Sequence, residues 1–201
     1  NKAMLGKPKQ KRSQDRINKI LQTAESILEH ESIDALTIAK ISEVANLKRT
    51  STYKFFETPD DIKLGLIQVY IERCNEDLLS NFQINPNADY AMCLKDSVTI
   101  MIEFFRTNPG AQKLILENNV TPPVLSSELH AIAGSILKHV EGSNGLPNMF
   151  NKPGVFLVIT QIIFSILSLN TKENGELTDV GLNEAVRATN AYLLSCIAAP
   201  A

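Results

Sequence analysis

The stretch from Thr37 to Phe56 concentrates side chains that donate and accept hydrogen bonds within a short length of chain. It is written TIAKISEVANLKRTSTYKFF, and most of its basic and hydroxyl-bearing positions fall in the second half. Arginine and lysine donate to guanine edges and phosphates, and serine and threonine hydroxyls bond with either group. Such a cluster on one helix suits the DNA major groove, which admits a single helix. The outward-facing positions are predicted to be Lys48, Arg49, Thr50, Ser51, Thr52 and Lys54.

Two short helices separated by a tight turn are predicted to position these side chains. Thr37 is a good N-cap for the first helix, whose apolar positions recur at helical spacing. Asn46 then tolerates the left-handed conformation that a tight turn between helices needs. A second helix follows from about Lys48 to Lys54. Its predicted apolar anchors against the first helix are Leu47, Tyr53 and Phe56.

A longer helix is predicted on each side of this pair. Ser13 can cap the helix before it, which ends near His30 and carries one apolar stripe. The stripe consists of Ile17, Ile20, Leu21, Ala24, Ile27 and Leu28. After the pair, Thr58-Pro59-Asp60-Asp61 is a strong helix start, because Thr caps, Pro fits the first position and carboxylates face the positive end of the helix dipole. That helix is predicted to reach about Asn81.

The rest of the chain also has helical rather than strand periodicity. No segment shows sustained period-two alternation, and proline and glycine breaks separate the remaining helices. The chain is therefore predicted to be all-α, with about nine helices in an N-terminal three-helix bundle and a larger C-terminal bundle. The later helices are predicted near 87–107, 109–117, 123–141, 153–170 and 178–198.

Charge is divided unevenly between the two ends of the chain. The net charge is −2, yet residues 1–56 hold 11 Lys and Arg against 6 Asp and Glu, whereas the remainder holds 9 against 16. A basic N-terminal part followed by an acidic remainder favours contact of the N-terminal part with a polyanion. The densest basic cluster, between Lys7 and Arg16, taken alone also fits a solubilising tail.

The predicted domain boundaries are a flexible basic arm over 1–12, a helix-turn-helix domain over 13–57 and a C-terminal domain over 58–201.

The sequence lacks the motifs of enzymes and metal sites. Its 201 residues contain no GxSxG, HExxH, P-loop or dinucleotide-binding glycine pattern, so no catalytic activity, cofactor or metal is predicted. His130 and His139 fall on opposite sides of one helix and do not form a metal pair. The chain is therefore predicted to be a binding protein rather than an enzyme.

Cysteine usage and hydropathy indicate a cytoplasmic protein. The three cysteines are scattered without a CxxC pair, which fits a reducing compartment. Cys74 and Cys93 are expected to be buried thiols, with a redox-sensing role as the alternative. The run from Val155 to Leu169 is interrupted by polar residues, so it is predicted to be too short and too polar for a membrane span.

Residues 16–62 resemble the DNA-binding domain of the TetR (tetracycline repressor) family of transcriptional regulators. That family has a Thr opening its second helix, an A-G-hydrophobic-S turn, a recognition helix with T-hydrophobic-Y and a closing aromatic, and an S-K-acidic-acidic-L start to its fourth helix. The match covers about a quarter of the chain, and the length and helix number agree. The matching positions are Thr37-Ile38 with Ile41, Ala45-Asn46-Leu47-Lys48, Ser51-Thr52-Tyr53, Phe56 and Thr58-Pro59-Asp60-Asp61-Ile62.

Five positions depart from the family pattern. Asn46 replaces the turn glycine, and Ser32 replaces a glycine between the first two helices. Lys48 replaces the small N-cap of the recognition helix, which weakens the cap and adds a phosphate-seeking charge. Thr52 stands where the family has an apolar residue. Pro59 replaces a lysine that contacts phosphate, so one backbone anchor is predicted to be lost, and the basic arm and Lys48 are candidates to replace it.

The resemblance implies which side chains face DNA, and the chemistry of a guanidinium adds Arg49 to them. Those implied by the resemblance are Thr37, Lys48, Thr50, Ser51, Tyr53 and Lys54. We expect Arg49, Thr50 and Ser51 at base edges. We expect Thr37, Lys48, Tyr53 and Lys54 at phosphates. A mainly structural role of the Tyr53 ring is the alternative at that position.

The C-terminal part is expected to dimerise and to bind a small molecule. The helix near 153–170 is apolar nearly all round, so several of its faces need cover, and a second subunit is one source of it. The resemblance implies that the last two helices pair with their symmetry mates and that a cavity lies within helices four to eight. Charged residues are scarce there, which favours an apolar or amphipathic effector. The candidate lining residues are Tyr70, Cys74, Leu78, Met92, Met101, Phe104, Phe105, Leu116, Gln161 and Phe164.

Together these features predict a ligand-responsive DNA-binding regulator of transcription. A two-fold dimer would bind a palindromic double-stranded operator, with repression relieved when a small-molecule effector binds. No membrane partner is predicted. The alternative is a TetR-like small-molecule binding or interaction protein with weakened DNA recognition, as Pro59 and Thr52 suggest. DNA affinity and its salt dependence separate the two hypotheses.

Overall fold

The computed structural model describes residues 6–81, 86–117 and 126–198, and within these ranges the chain is α-helical and forms no β-strand. The all-α prediction is confirmed, and the nine α-helices of the described ranges match the predicted number. A short 3₁₀ turn (Ile33–Ala35) precedes the second helix. The helices are α1 (Gly6–Leu28), α2 (Ile38–Val44), α3 (Arg49–Tyr53), α4 (Pro59–Ser80), α5 (Tyr90–Thr107), α6 (Pro109–Ala111), α7 (Ser126–Glu141), α8 (Lys152–Asn174) and α9 (Asp179–Ala198).

Helix α1 begins at Gly6, so the predicted start at Ser13 was wrong. The predicted flexible arm is therefore helical from residue 6 onward, and residues 1–5 lie outside the described residues. A proline at position 8 does not stop the helix, because the first four N–H groups of a helix lack an intrahelical partner in any case. The lysine, glutamine and arginine residues that follow are strong helix formers.

Helices α2 and α3 form the predicted helix-turn-helix. The Lys40 backbone N–H donates to Oγ1 of Thr37 at 3.1 Å, so Thr37 caps α2 as predicted. Asn46 has φ of 54°, the left-handed conformation expected for the turn. Lys48 occupies the N-cap of α3 without a side-chain capping hydrogen bond, as its residue type predicts.

Helix α4 begins with a reciprocal capping box. The Asp61 backbone N–H donates to Thr58 Oγ1 at 3.2 Å, and the Thr58 backbone N–H donates to Asp61 Oδ2 at 3.0 Å. Pro59 takes the first helical position, where its missing N–H costs no hydrogen bond. The helix start predicted from Thr58-Pro59-Asp60-Asp61 is confirmed, and α4 ends at Ser80.

The chain divides into two compact units, and the division falls inside α4, between Ile67 and Gln68. The first unit contains residues 6–67. Its core combines the apolar stripe of α1 with the buried faces of α2 and the start of α4. Its buried side chains include Ile20, Ala24, Ile27, Leu28, Leu36, Ile38, Ile41, Ala45, Phe56, Ile62 and Leu66.

The second unit contains residues 68–81, 86–117 and 126–198, with a core rich in aromatic rings. Phe104 and Phe105 pack edge-to-face with centroids 5.2 Å apart, and Tyr70 and Phe164 add edge-to-face contacts at 6.5 and 6.1 Å. The helix predicted over 109–117 is α6, which continues as a π-helical segment (Gln112–Glu117). Helix α7 is described from Ser126, so the predicted start near 123 lies outside the described residues.

Helix α8 is longer than predicted, and its length and apolar composition would be enough to cross a membrane. It spans 23 residues, because the polar turn after Asn170 stays helical until Gly175 ends it in the left-handed conformation. The argument that this segment is too short and too polar to span a membrane was therefore wrong on both points. Half of its most apolar stretch is buried within the protein, and α8 packs against α7 and α9. A core helix of a globular unit accounts for the same composition.

Candidate nucleic-acid interface

The exposed face of α3 and its flanking residues bring most of the predicted DNA-contacting side chains to the surface of the first unit. Arg49, Thr50 and Tyr53 are exposed in α3, at positions i, i+1 and i+4. Successive residues turn by about 100°, so these three side chains share one side of the helix. Lys48 before the helix and Lys54 after it are also exposed, whereas Ser51 is half-buried.

The charges on this face are uncompensated within the described chain. Lys48, Arg49 and Lys54 form no ion pair with any residue that the structure describes. Thr37, at the start of α2, is exposed as well, and its hydroxyl oxygen accepts the Lys40 N–H. Its hydroxyl hydrogen remains able to donate to a phosphate oxygen. The face therefore combines three cations with hydroxyl and phenol groups, the chemistry of base-edge and phosphate contacts.

Thr52 was predicted to face outward, and this was wrong. Its side chain is fully buried, and its Oγ1 lies 2.9 Å from Ser42 Oγ, so one hydroxyl donates to the other. Thr52 lies four residues before Phe56, which is also buried. This i, i+4 pair forms the side of residues 52–56 that faces the core. The departure from an apolar family residue is therefore compensated by a buried hydrogen bond between α2 and α3.

Tyr53 was predicted to help anchor α3, and the structure places its ring at the surface instead. It is 51% exposed, whereas Phe56 is buried and Leu47 half-buried. The anchoring is therefore done by Thr52 and Phe56. Tyr53 lies one residue further along the helix, where its phenol faces solvent and suits the phosphate contact proposed for it.

Replacing Thr52 with valine is expected to destabilise the first unit while preserving side-chain volume. The change leaves the buried Ser42 hydroxyl without this partner, which costs about 1–3 kcal/mol. The double variant Ser42→Ala/Thr52→Val removes both polar groups and should recover most of the loss. Urea unfolding of the two single variants and the double variant measures the coupling. Equal stability of Thr52→Val and wild type would contradict the role given to this hydrogen bond.

The predicted effector-site residues divide into a buried group and two exposed exceptions. Eight of them lie in the core of the second unit: Tyr70, Cys74, Leu78, Met101, Phe104, Phe105, Leu116 and Phe164. Met92 is 58% exposed and Gln161 is also exposed, so neither lines an interior site in this chain. Both fall on the solvent side of their helices: Met92 lies one residue from buried Cys93, and Gln161 one residue from buried Thr160.

Two grooves on the second unit have a more polar lining than the predicted effector site. One, of ≈ 290 Å³, lies between α4 and α5 and includes Asp77, Glu103 and Phe104. The other, of ≈ 230 Å³, lies between α4 and α7 and includes Glu72, Asn75 and Glu128. Phe104 is the one predicted lining residue that these two grooves contain. An apolar effector cavity therefore stays a prediction.

Two of the three cysteines of the second unit have the properties of structural thiols. Cys74 and Cys93 are buried and free of disulfides. Burial raises the pKa of the Cys74 thiol, with the nearby Asp77 carboxylate as a smaller cause. Burial also raises the pKa of Cys93, helped by Asp96 and Asp89. Because the thiolate is the reactive species, both positions favour the buried-thiol interpretation over a redox sensor.

Alkylation kinetics test this interpretation of Cys74. At pH 8 a raised pKa leaves less thiolate than in an unfolded chain, and burial blocks access, so native Cys74 should react with iodoacetamide at least ~100-fold more slowly than in urea. Mass spectrometry of the modified peptide gives the rate. Half-buried Cys196 serves as the internal comparison. A native Cys74 rate close to the rate in urea would refute the structural assignment.

One face of α8 leaves apolar side chains at the surface. Leu169 is 60% exposed and Val158 is 41% exposed, and half-buried Ile162 and Ile166 lie between them. The spacing i, i+4, i+8 and i+11 places all four on one side of the helix. An exposed apolar row of this kind is typical of a protein–protein contact surface.

Comparison with known proteins agrees with this architecture. No family model matches the sequence, and no curated protein matches it. The fold resembles a TetR-family transcriptional regulator from Streptomyces coelicolor, with a TM-score of 0.70 and 19% identity over 90% of this chain and 97% of that one. It also resembles a TetR transcriptional regulator from Rhodococcus sp. RHA1, with a TM-score of 0.59 and 10% identity over 92% of this chain and 97% of that one.

A third solved structure of the same kind is the TetR family repressor AlkX from Dietzia sp. strain DQ12-45-1b, implicated in biodegradation of n-alkanes. Its TM-score is 0.57 and its identity 13%, over 89% of this chain and 95% of that one. All three likenesses extend over about nine-tenths of this chain and nearly the whole of the other chain. The chain therefore has the fold of the TetR-family transcriptional regulators.

Proposed function

We propose that this chain is a ligand-responsive transcriptional repressor that binds a palindromic operator. The observation that carries the proposal is the exposed cationic and hydroxyl-bearing face of α3 in a helix-turn-helix of this fold. Arg49, Thr50 and Ser51 are assigned to base edges, because a guanidinium donates two hydrogen bonds to guanine and hydroxyls serve several bases. The phosphate contacts are assigned to Thr37, Lys48, Tyr53 and Lys54. A repressor role is supported by the Dietzia protein of the same fold, which is a TetR family repressor.

Dimerisation through the last two helices is part of the proposal. The apolar row of α8 between Val158 and Leu169 gives a second subunit a surface to cover. A two-fold axis through this region would present two copies of α3, and half-sites about 10 bp or a multiple of 10 bp apart would receive them. A cytoplasmic location follows from this function and fits the free cysteines.

A small apolar or amphipathic effector is proposed to release the DNA. The aromatic and methionine side chains of the second unit, such as Phe104, Phe105 and Met101, suit a site that adapts its shape to an apolar ligand. Because α4 contributes residues to both units, a change of its tilt would alter the spacing of the two α3 helices. The effector must bind the released conformation more tightly, since otherwise no equilibrium shifts.

Selection of bound fragments from sheared host DNA tests the DNA-binding part directly. We expect an enriched palindrome, and affinity for it should fall by orders of magnitude between about 50 and 200 mM salt. Weak and equal binding to every fragment would instead favour the alternative, a TetR-like binding protein with weakened DNA recognition. Pro59, in place of a phosphate-binding lysine, is the observation on which that alternative rests, because Thr52 is buried and hydrogen-bonded.

Saturable displacement of an apolar fluorophore tests the effector site. Ligands that displace the dye should also weaken operator binding in the same concentration range. A ligand that saturates the site and leaves operator affinity unchanged would refute the proposed release step.

A further inference from the structure

The first half of α1 holds a second concentration of positive charge, separate in sequence from the α3 face. Residues 9–19 contain no buried side chain, and the next residue, Ile20, is buried. Over residues 6–19 the sequence has six Lys and Arg against one acid, Asp15. Residues 9–19 are therefore helical, largely exposed and strongly cationic.

Four of these cations lie on one face of the helix. Counted from Lys9, they follow i, i+3, i+7 and i+10, which places them within about 80° of the circumference and along roughly 15 Å of the axis. All are exposed, and none forms an ion pair with another residue of the described chain. These four residues, here called the α1 cationic stripe, are Lys9, Arg12, Arg16 and Lys19.

The α1 cationic stripe is electrostatically unfavourable for the free helix. Like charges at i, i+3 and i, i+4 repel each other, and they do so here at each step from Lys9 to Lys19. Asp15, three residues after Arg12 and four before Lys19, offsets only part of this repulsion, since it is one acid among four cations. The first turn of α1 contains no acidic residue, so nothing there complements the positive end of the helix dipole. A polyanion along the stripe would remove both penalties and stabilise the helix.

We propose that the α1 cationic stripe is a second DNA-binding surface, which contacts phosphates of the duplex that α3 reads. This inference rests on the proposed function for the identity of the polyanion. Arginine binds phosphate through two parallel hydrogen bonds, and a stripe of about 15 Å is long enough to meet several phosphates of one strand. These contacts replace the anchor that Pro59 cannot supply, without reading sequence.

Duplex DNA fits the α1 cationic stripe better than a membrane surface does. A helix that lies on a membrane pairs its basic face with a broad apolar face. Between residues 9 and 19 the one apolar residue is Ile17, so this segment has no such face. The stripe also belongs to the same compact unit as the α3 face, whose side chains are proposed to contact DNA.

The test compares two double variants that each remove two positive charges. Arg12→Gln/Arg16→Gln changes the centre of the stripe, and glutamine keeps the helix propensity. Lys95→Gln/Lys138→Gln is the control, since both lysines are exposed and lie in the second unit, away from the α1 cationic stripe in sequence. Affinity for a 30-bp duplex of arbitrary sequence and for the selected operator is measured between about 50 and 300 mM KCl. Far-UV circular dichroism verifies that both variants fold.

We expect the stripe variant to bind both duplexes at least tenfold more weakly than wild type at about 0.1 M salt. The slope of log affinity against log salt concentration should become less steep by about 2 or more for a dimer. The stripe variant's preference for the operator over the arbitrary duplex should stay unchanged, and the control should bind within about twofold of wild type. Equal affinity and slope for the stripe variant and wild type would overturn the inference, and so would equal losses in both variants.

Two further measurements separate the remaining outcomes. Hydrogen exchange of residues 9–19 in the wild-type protein should slow on adding the duplex, and unchanged exchange would overturn the inference even if the variant failed to fold. The inference would also be overturned if the stripe variant lost binding to vesicles with 30% phosphatidylglycerol but bound the duplex as wild type does. A third outcome is that fragment selection finds no palindrome, yet the stripe variant binds the arbitrary duplex more weakly than wild type. This result would refute the proposed operator function and support the inference about the α1 cationic stripe.

Discussion

Replacing Arg49 with alanine is expected to weaken operator binding by roughly 30-fold to 10⁴-fold. Each lost bidentate contact to guanine costs about 1–3 kcal/mol, and a two-fold dimer loses two of them. Arg49 is exposed on α3 and free of ion pairs within the described chain, so its removal breaks no interaction that supports the fold. Binding titrations with the selected operator and with an arbitrary duplex measure the effect.

Arg49→Lys separates charge from geometry at the same position. Lysine keeps the positive charge and loses the planar fork, so affinity for arbitrary DNA should change little while preference for the operator falls. Lys95→Ala, which removes an exposed cation from α5, is the control and should leave operator affinity within about twofold. If Arg49→Ala reduces operator and arbitrary DNA binding by the same factor, Arg49 contacts phosphate and not a base edge.

Replacing Leu169 with glutamate is expected to raise the dissociation constant of the proposed dimer by at least ~100-fold. The side chain is 60% exposed on the apolar row of α8, and a second subunit packed there would bury two unpaired carboxylates per dimer. Sedimentation velocity across a range of concentrations measures the change. Operator affinity should fall with it, because a monomer presents only one copy of α3.

Leu79→Glu is a matched control for this substitution. Leu79 lies in α4 and is 42% exposed, so the same chemical change at this position stays in solvent. We expect Leu79→Glu to remain dimeric and to bind the operator as wild type does. Equal effects of the two variants, or an unaltered dimer in Leu169→Glu, would place the subunit contact elsewhere on the protein.

Local signals in the sequence were sufficient for the class of fold and for most helix ends. Thr37, Asn46 and Thr58 each adopt the predicted role in a cap or turn, because these roles depend on a side chain and a few neighbouring backbone groups. The start of α1 is the main exception. Ser13 has the residue type of a cap, yet the preceding residues are good helix formers and nothing in them forces a break.

The buried side of α3 depended on tertiary packing. A helix of five residues has too few positions for its periodicity to show which face is inward. Polarity suggested Thr52 outside and Tyr53 inside, and the structure has the reverse, because Ser42 on α2 supplies Thr52 with a buried hydrogen-bond partner. A hydroxyl can be buried where such a partner exists, and the partner lies ten residues away in sequence.

Nearby residues were enough to indicate the all-α class, the helix-turn-helix with its caps, and the cationic composition of the N-terminal part. Which side chains those helices expose depended instead on how the helices pack. That packing placed Met92 and Gln161 at the surface, Phe104 and Phe105 in the core, and Leu169 on an uncovered face of α8. Burial depends on which helices pack together, and that pairing brings together residues far apart in the chain.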